Sequence, residues 1–136
     1  MAKLNLKVVT PEKEIFSGEV DEVVVTTPDG EIGILPNHTN LMSSVVAGEM
    51  RIKNGGKTTV MVTGSGLLQV TDNNLSIMTD LAEEAADIDE KAAEEARKRA
   101  EQALEQKLTD EEYAQTIVVL EKSLARLQVK RRHRAR

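Results

Sequence analysis

Apolar and polar residues alternate along the first part of the chain, which is the period of strands that bury one face. Leu4, Leu6 and Val8 show this alternation most clearly, and turn residues such as Pro28-Asp29-Gly30 separate the stretches that follow. Predicted strands cover residues 4–8, 15–16, 20–25, 32–35, 41–46, 50–52, 60–62, 67–70 and 75–78. About ten short strands in so little chain predict an antiparallel β-sandwich or barrel, without room for βαβ crossovers.

The apolar period changes near Ile88, after which spacings of three and four residues indicate helices. Asp87 or Asp89 is the expected N-cap of a first helix over residues 89–106. Its apolar stripe consists only of alanines: Ala92, Ala96, Ala100 and Ala103. Such a helix forms easily but buries few carbon atoms.

A second helix is predicted over residues 110–131. Thr109 and Glu112 have the spacing of a capping box at its start. Its apolar seam steps by four and three residues through Tyr113, Ile117, Leu120, Leu124 and Leu127. The short break at Lys107 to Thr109 favours an antiparallel two-helix hairpin.

Glycine and proline mark the division between the two parts. All eight glycines and all three prolines precede Leu67, although the strand pattern continues to Met78. We therefore predict a β + α protein with a β-sandwich over residues 1–82 and a two-helix domain over residues 83–136. The hinge is expected between Asp80 and Ile88.

Composition limits the chemistry of the chain. Of its 136 residues 40% are hydrophobic, but Phe16 and Tyr113 are the only aromatic ones, so the core must be aliphatic. Without cysteine there can be no disulfide, thiolate metal site or thiol nucleophile. No apolar run approaches the ~20 residues that span a bilayer, and the first residues alternate like a strand instead of a signal peptide. We expect a soluble protein that is not exported.

The net charge of −5 is distributed unevenly, with −4 on residues 1–82, −7 on 83–112 and +6 on 113–136. The basic end, residues 130–136, is compatible with a nucleic-acid tail, a solvated helix end favoured by the helix dipole, or a site for an acidic protein surface. The isoelectric point near 5.1 and the scarcity of aromatic residues disfavour nucleic acid.

Catalytic and metal sites find little support. A Ser or Thr nucleophile would need His38 or His133, and neither lies in a recognisable motif. Two histidines far apart in sequence also make a poor metal site. Gly64-Ser65-Gly66 leads into an apolar strand and not into a helix, which favours a strand corner over a phosphate loop. We predict no catalytic and no metal-binding residues.

Four segments carry a family resemblance that covers the whole chain. They are Thr10-Pro11-Glu12, Phe16-Ser17-Gly18-Glu19, the stretch Gly30-Glu31-Ile32-Gly33-Ile34-Leu35-Pro36-Asn37-His38, and Val62-Thr63-Gly64-Ser65-Gly66. In order and spacing the chain resembles the epsilon subunits of F-type ATP synthases. Leu4-Asn5-Leu6 and Pro36-Asn37-His38 are similar to the chloroplast-like branch.

The resemblance implies a non-catalytic central-stalk subunit of a proton-translocating ATP synthase. Its sandwich would bind the gamma subunit and touch the membrane rotor ring, with Glu31 and His38 in the ring-facing loop. His38 has a second interpretation, as a loop side chain that orients the turn at Pro36. The protein would be peripheral to the membrane through the complex, on the cytoplasmic or stromal face, with the thylakoid as one candidate membrane.

The resemblance also implies a brake on ATP hydrolysis. The helices of the family fold against the sandwich in one state and rise along gamma into the catalytic alpha/beta head in another. The alanine stripe gives a reason for weak docking of helices that themselves persist, as a two-state element requires. The residues expected to contact the acidic head surface are Arg126, Lys130, Arg131 and Arg132; ordinary solvation is the other interpretation.

Some relatives bind ATP through a motif of Ile or Leu, Asp, two variable residues, Arg and Ala. Ile88 and Asp89 match its start, but Ala92 stands where the arginine would be. Because the missing guanidinium removes a phosphate partner, we expect ATP to bind weakly or not at all and predict no other cofactor.

Two other functions remain open at this stage. A coiled-coil adaptor would use the seam from Tyr113 to Leu127 to form a stable oligomer. A basic-tailed nucleic-acid-binding protein would lose affinity with rising salt and on removal of residues 130–136.

Overall fold

The computed structural model describes residues 2–135, so Met1 and Arg136, the last residue of the basic end, lie outside it. Its strands are β1 Leu4–Val9, β2 Glu14–Val20, β3 Glu22–Thr27, β4 Gly30–Ile34, β5 Leu41–Val45, β6 Gly48–Asn54, β7 Lys57–Thr63, β8 Gly66–Thr71, β9 Asn74–Thr79 and β10 Ala82–Glu84. A 3-10 helix, Ala85–Asp87, precedes the helices α1, Glu90–Leu104, and α2, Asp110–Ala135. The predicted sandwich followed by two helices is confirmed.

The ten strands form two five-stranded sheets. The first sheet has the order β2-β1-β9-β8-β5, and the second has the order β10-β7-β6-β3-β4. One pairing corrects the antiparallel prediction: β1 and β9 run parallel, with Leu6 opposite Leu75 and Val8 opposite Ile77. The chain enters both strands from the same end of the sandwich, so they become parallel neighbours although most of the sandwich separates them in sequence.

The core between the sheets is aliphatic, as the composition predicts. Leu4, Leu6 and Val8 of β1 are all buried, and the residues between them face outward. Phe16 is only partly buried at the edge of this core. The apolar residues of the alternating pattern therefore face the core, and the polar residues between them face outward from the first sheet.

The predicted domain boundary after residue 82 passes through β10. Ala82 pairs with Thr63 and Glu84 with Met61, which makes β10 the edge strand of the second sheet. Ala85 and Ile88 then pack into an apolar cluster with the sandwich. The segment predicted as a hinge is thus ordered by backbone pairing and burial, because the edge of β7 offers hydrogen-bonding groups that sequence periodicity does not reveal.

Local signals place the helix starts correctly. The Asp89 side chain caps α1 by accepting a hydrogen bond from the Ala92 backbone N–H at 3.0 Å. Thr109 and Glu112 form the predicted capping box, in which each backbone N–H donates to the other side chain at 3.1 Å. The ends differ from prediction: α1 stops at Leu104, and α2 continues to Ala135.

The helix α2 lies between the second sheet and α1. Ala125 and Val129 pack against Val62 of β7. Ser123 and Leu127 are also buried but point to the opposite side, since two residues turn an α-helix by about 200°. The layers are therefore first sheet, second sheet, α2 and α1.

This layering changes two predicted helix faces. Ala93 is buried in α1 while Ala92 is exposed, so the alanine stripe runs one residue later at its start. In the predicted seam of α2, Leu127 is buried but Tyr113 and Leu124 are about half exposed. The docked half of α2 therefore begins near Ser123.

Candidate partner-binding surfaces

Lys122, Arg126 and Lys130 form a cation row along one side of α2, because side chains four residues apart are neighbours on a helix. The Lys122 Nζ atom lies 3.4 Å from Oδ2 of Asp80. Arg126 Nε donates a hydrogen bond to Glu83 Oε1 at 2.7 Å, and its Nη2 lies 2.6 Å from the same oxygen. Arg126, predicted to contact a partner, is thus paired with β10.

Lys130 ends the cation row at the 3-10 helix. Its Nζ atom donates to the carbonyl oxygens of Ala85 and Ala86, at 3.0 and 3.1 Å. Carbonyl groups at the end of a helical turn carry partial negative charge, so an ammonium group is favourable there. Lys130 therefore joins α2 to the connection between sandwich and helices.

Arg131 and Arg134 face α1. Arg131 Nε donates to Glu90 Oε1 and Nη2 to Glu94 Oε2, both at 3.0 Å, and Arg134 also pairs with Glu90. The hydrogen bond from Arg131, together with Arg134, holds the pKa of Glu90 below its usual value. The pKa of Glu94 is lowered first by Arg97 and then by Arg131. These ion pairs join the two helices.

Arg132 reaches the second sheet. Its Nη1 atom lies 3.8 Å from Oε2 of Glu49, whose side chain is only 3% exposed. Arg51 donates to Glu49 and, at 3.0 Å, to Glu31, and these two hydrogen bonds, Glu31 first, raise the pKa of Arg51. Each of the four predicted contact cations therefore has a partner within the chain.

Glu31 and His38 do not share a loop, which corrects the prediction. Glu31 belongs to β4 and pairs with Thr26 near the β3–β4 turn. His38 follows the other end of β4, so the strand separates the two residues. The turn at Pro28-Asp29-Gly30 was the signal available in the sequence, because a hairpin there places Glu31 in the returning strand.

The loop that carries His38 is held by hydrogen bonds at one end of the sandwich. The backbone N–H of His38 donates to Leu35 O at 3.2 Å, and its Nδ1 lies 2.7 Å from Thr39 O. The turn between β8 and β9 fixes this loop, since the Asn37 backbone N–H donates to Asn73 Oδ1 at 2.8 Å. The loop is therefore held in place before any partner arrives.

The outer face of the first sheet presents an apolar face, defined by Met42, Leu67 and Met78, that sequence analysis did not single out. These side chains are 67%, 47% and 42% exposed. Leu67 and Met78 are direct neighbours across β8 and β9. A cavity of about 390 Å³ adjoins Met78 and includes Val9 and Gly66. Clustered exposed apolar side chains of this kind are typical of a protein contact.

The residues of the ATP motif have structural contacts of their own. Ile88 is buried in the cluster beneath α2, and Asp89 caps α1. Ala92 is exposed and offers only a methyl group. A cavity of about 800 Å³ lies nearby, between β2 and β10, with Lys122 and Arg126 in its lining.

Glycine at the strand corner serves close packing. A Cβ atom at Gly64 would lie 1.9 Å from Asp80 Oδ1, and the segment connects β7 to β8, as the strand-corner interpretation predicts. Within residues 2–135 no group of three or more His, Asp or Glu side chains is placed to hold a metal ion. The described helices include none that is long and apolar enough to cross a membrane.

Comparison with known proteins gives matches over almost the whole chain. Residues 3–85 match the family described as ATP synthase, delta/epsilon chain, beta-sandwich domain, and residues 86–131 match the corresponding long alpha-helix domain. The ATP synthase epsilon chain of Caldicellulosiruptor bescii is 37% identical over 95% of this chain and 94% of its own. The chloroplastic epsilon chain of Emiliania huxleyi is 32% identical over 92% and 96%.

Solved structures show the same fold at lower identity. A chain of the Euglena gracilis mitochondrial ATP synthase matches with a TM-score of 0.74 and 23% identity, over 92% of this chain and 79% of its own. A chain of the Tetrahymena thermophila mitochondrial ATP synthase, from a central stalk and c-ring structure, matches with a TM-score of 0.61 and 15% identity, over 93% and 95%.

Proposed function

Because the chain belongs to the ATP synthase delta/epsilon chain family, as an epsilon chain and therefore a non-catalytic subunit, we propose that it couples the gamma subunit to the membrane rotor ring and restrains ATP hydrolysis through α1 and α2. The observation that carries the proposal is the division of the outer surface. The second sheet is covered by α2, whereas the first sheet presents the apolar face.

The apolar face is the proposed gamma-binding surface. Leu67 and Met78 would lose their exposed apolar area on binding, at roughly 25 cal/mol per Å². Leu67→Glu should therefore weaken binding to gamma by at least tenfold in a titration of the purified subunits. Thr58→Glu is the matched control, because Thr58 is exposed on β7 of the other sheet and the substitution adds the same charge away from the apolar face.

The end of the sandwich that carries His38 is the proposed ring-facing surface. Its turns are joined by hydrogen bonds such as that between Asn37 and Asn73, so it can transmit torque without first becoming ordered. Glu31 lies away from this end and pairs with Arg51. The two residues are therefore expected to differ: cross-links to the ring should form from position 38 more readily than from position 31.

The helices are the proposed brake on hydrolysis. In the docked arrangement Arg126, Lys130, Arg131 and Arg132 all bind groups of the same chain. Release of the helices would free these cations for the catalytic head. Deletion of residues 88–136 in the assembled complex should raise ATP hydrolysis and leave synthesis largely coupled; failure of the complex to assemble would instead indicate a structural role.

The proposed location follows from the complex. The subunit would be peripheral, reaching the membrane only through the rotor ring, on the cytoplasmic or stromal face. The likeness to a chloroplastic epsilon chain supports a thylakoid membrane as one candidate. Fractionation should place the protein with membranes and release it with the catalytic head.

ATP affinity is proposed to be weak. Ile88 and Asp89 are engaged in packing and capping, and Ala92 supplies no cation for a phosphate. Isothermal titration of the full chain should show no binding in the micromolar range. Micromolar affinity would overturn this expectation, whereas Ala92→Arg tests whether the missing cation alone is responsible.

A further inference from the structure

The cations of α2 are matched by carboxylates on the β part of the chain. Asp80 follows β9, Glu83 belongs to β10 and Glu49 to β6, and each lies within 4 Å of a basic side chain of α2. The two surfaces have opposite charge as wholes, since residues 113–136 carry +6 and residues 1–82 carry −4. The docked helix is thus bound to an acidic protein surface within its own chain.

We propose that Asp80, Glu83 and Glu49 act as an internal substitute for an acidic partner surface, so that docking and partner binding compete for the same cations of α2. The inference has two halves. The first, the ionic control of docking, concerns the chain alone. The second, competition with a partner for the cations, rests on the proposed braking function.

The geometry favours competition because the same atoms would serve both states. Arg126 uses both Nε and Nη2 on Glu83, so these donors are engaged while the helix is docked. Lys130 donates two hydrogen bonds to backbone carbonyls. The donors used in these contacts become available to another protein only when the contacts open.

The apolar packing of α2 on the sandwich is limited, so the docked state is sensitive to charge. On α2 the apolar contact is made by the small side chains of Ala125 and Val129, which pack in one cluster with Val62, Leu81, Ala85 and Ile88. Exposed ion pairs each add little, but a set of them shifts a balance between two states. Docking should therefore respond to ionic strength, because the Debye length falls from about 10 Å at 0.1 M salt to about 3 Å at 1 M.

The docking half is tested on the full chain with two dyes. The protein has no native cysteine, so Lys57→Cys on β7 and Gln128→Cys on α2, both exposed, can be labelled without background. Glu83→Gln should raise the ratio of undocked to docked helices by about two- to fivefold. Glu84→Gln is the matched control, because Glu84 lies beside Glu83, is exposed and has no ion-pair partner among residues 2–135.

Salt provides a second readout of the same half. Going from 0.1 to 1 M sodium chloride should undock the unaltered helices and have a smaller effect on Glu83→Gln. Equal dye distances in Glu83→Gln, Glu84→Gln and the unaltered chain, at both salt concentrations, would overturn the ionic control of docking.

The competition half is tested in the assembled complex by measuring ATP hydrolysis. Glu83→Gln should strengthen inhibition, because it frees Arg126 without altering it, whereas Arg126→Gln should weaken inhibition although it also undocks the helix. If both variants undock the helix and both weaken inhibition, shared use of the cation is overturned. That failure differs from failure of the brake itself, which would appear as unchanged hydrolysis after deletion of residues 88–136.

Discussion

Gly66 lies so close to Met78 that a Cβ atom at position 66 would be 1.9 Å from the Met78 carbonyl oxygen. Gly66 opens β8 and pairs with Thr79 in β9, so neither backbone can retreat without opening the ladder between these strands. The same two residues border the cavity beside the apolar face. Close backbone approach here sets the shape of the proposed gamma-binding surface.

Gly66→Ala should therefore lower the free energy of unfolding by about 2–3 kcal/mol, as expected for an overpacked site that the backbone must relieve. Gly18→Ala is the control, since a Cβ there would meet only Phe16 ring atoms at ordinary distances of 3.6 and 3.7 Å. Urea unfolding of both variants measures the difference. Equal stability would show that β8 and β9 can separate without loss.

Ala125→Leu should release α2 from the sandwich without unfolding the sheets. The larger side chain would have to fit against Val62 and Ala85, both fully buried, at a cost of about 1–3 kcal/mol. Dyes attached to Lys57→Cys on β7 and Gln128→Cys on α2 should report that the helix has moved away from the second sheet. Ala114→Leu, at an exposed position of the same helix, should leave the distance unchanged, and docking in both variants would contradict the packing described.

Acid should weaken the contact between α1 and α2. In the docked helices Arg131 and Arg134 lower the pKa of Glu90 from the usual 4.5, whereas the pKa of Glu94 is lowered first by Arg97 of its own helix and then by Arg131. A carboxylate with a depressed pKa stabilises the folded state above its unfolded pKa, and this contribution disappears as the pH falls through the folded pKa. The melting temperature of the helices, followed by circular dichroism, should thus fall as the pH is lowered from 6 to 3. The fall should be less steep in Arg131→Gln.

The capping box should stabilise the start of α2. Thr109→Ala removes the side-chain acceptor for the Glu112 N–H and should cost about 1 kcal/mol of helix stability. Thr116→Ala removes a hydroxyl that bonds the Glu112 carbonyl within the helix, where alanine is favoured, and should be neutral. Thermal melting monitored at 222 nm compares the two; a larger loss in Thr116→Ala would reverse the assignment.

Sequence analysis succeeds where the information is local. Leu4, Leu6 and Val8 mark a buried face because the two-residue period of a strand needs no knowledge of its partners. Thr109 and Glu112 mark a helix start because both halves of the capping box lie within one turn. Fold class and helix starts could therefore be predicted.

The errors of prediction from sequence arise where contacts join residues that are far apart in the chain. Glu83 and Glu84 have no strand-like pattern, and only the edge of β7 makes them β10. Whether Ala92 or Ala93 is buried depends on where α2 lies against α1. The partners of Arg126 and Arg132 come from β10 and β6, far away in sequence, so the sequence revealed the cations but not their carboxylates.

The order of layers has a consequence for biosynthesis. Although α1 is made before α2, it packs outside it, so Ala93 and Ala100 have no surface to cover them until α2 has left the ribosome. The sandwich, whose last strand β10 precedes both helices, can fold first. A nascent chain paused between the helices would therefore already expose the apolar face for gamma before α2, against which α1 packs, has been synthesised.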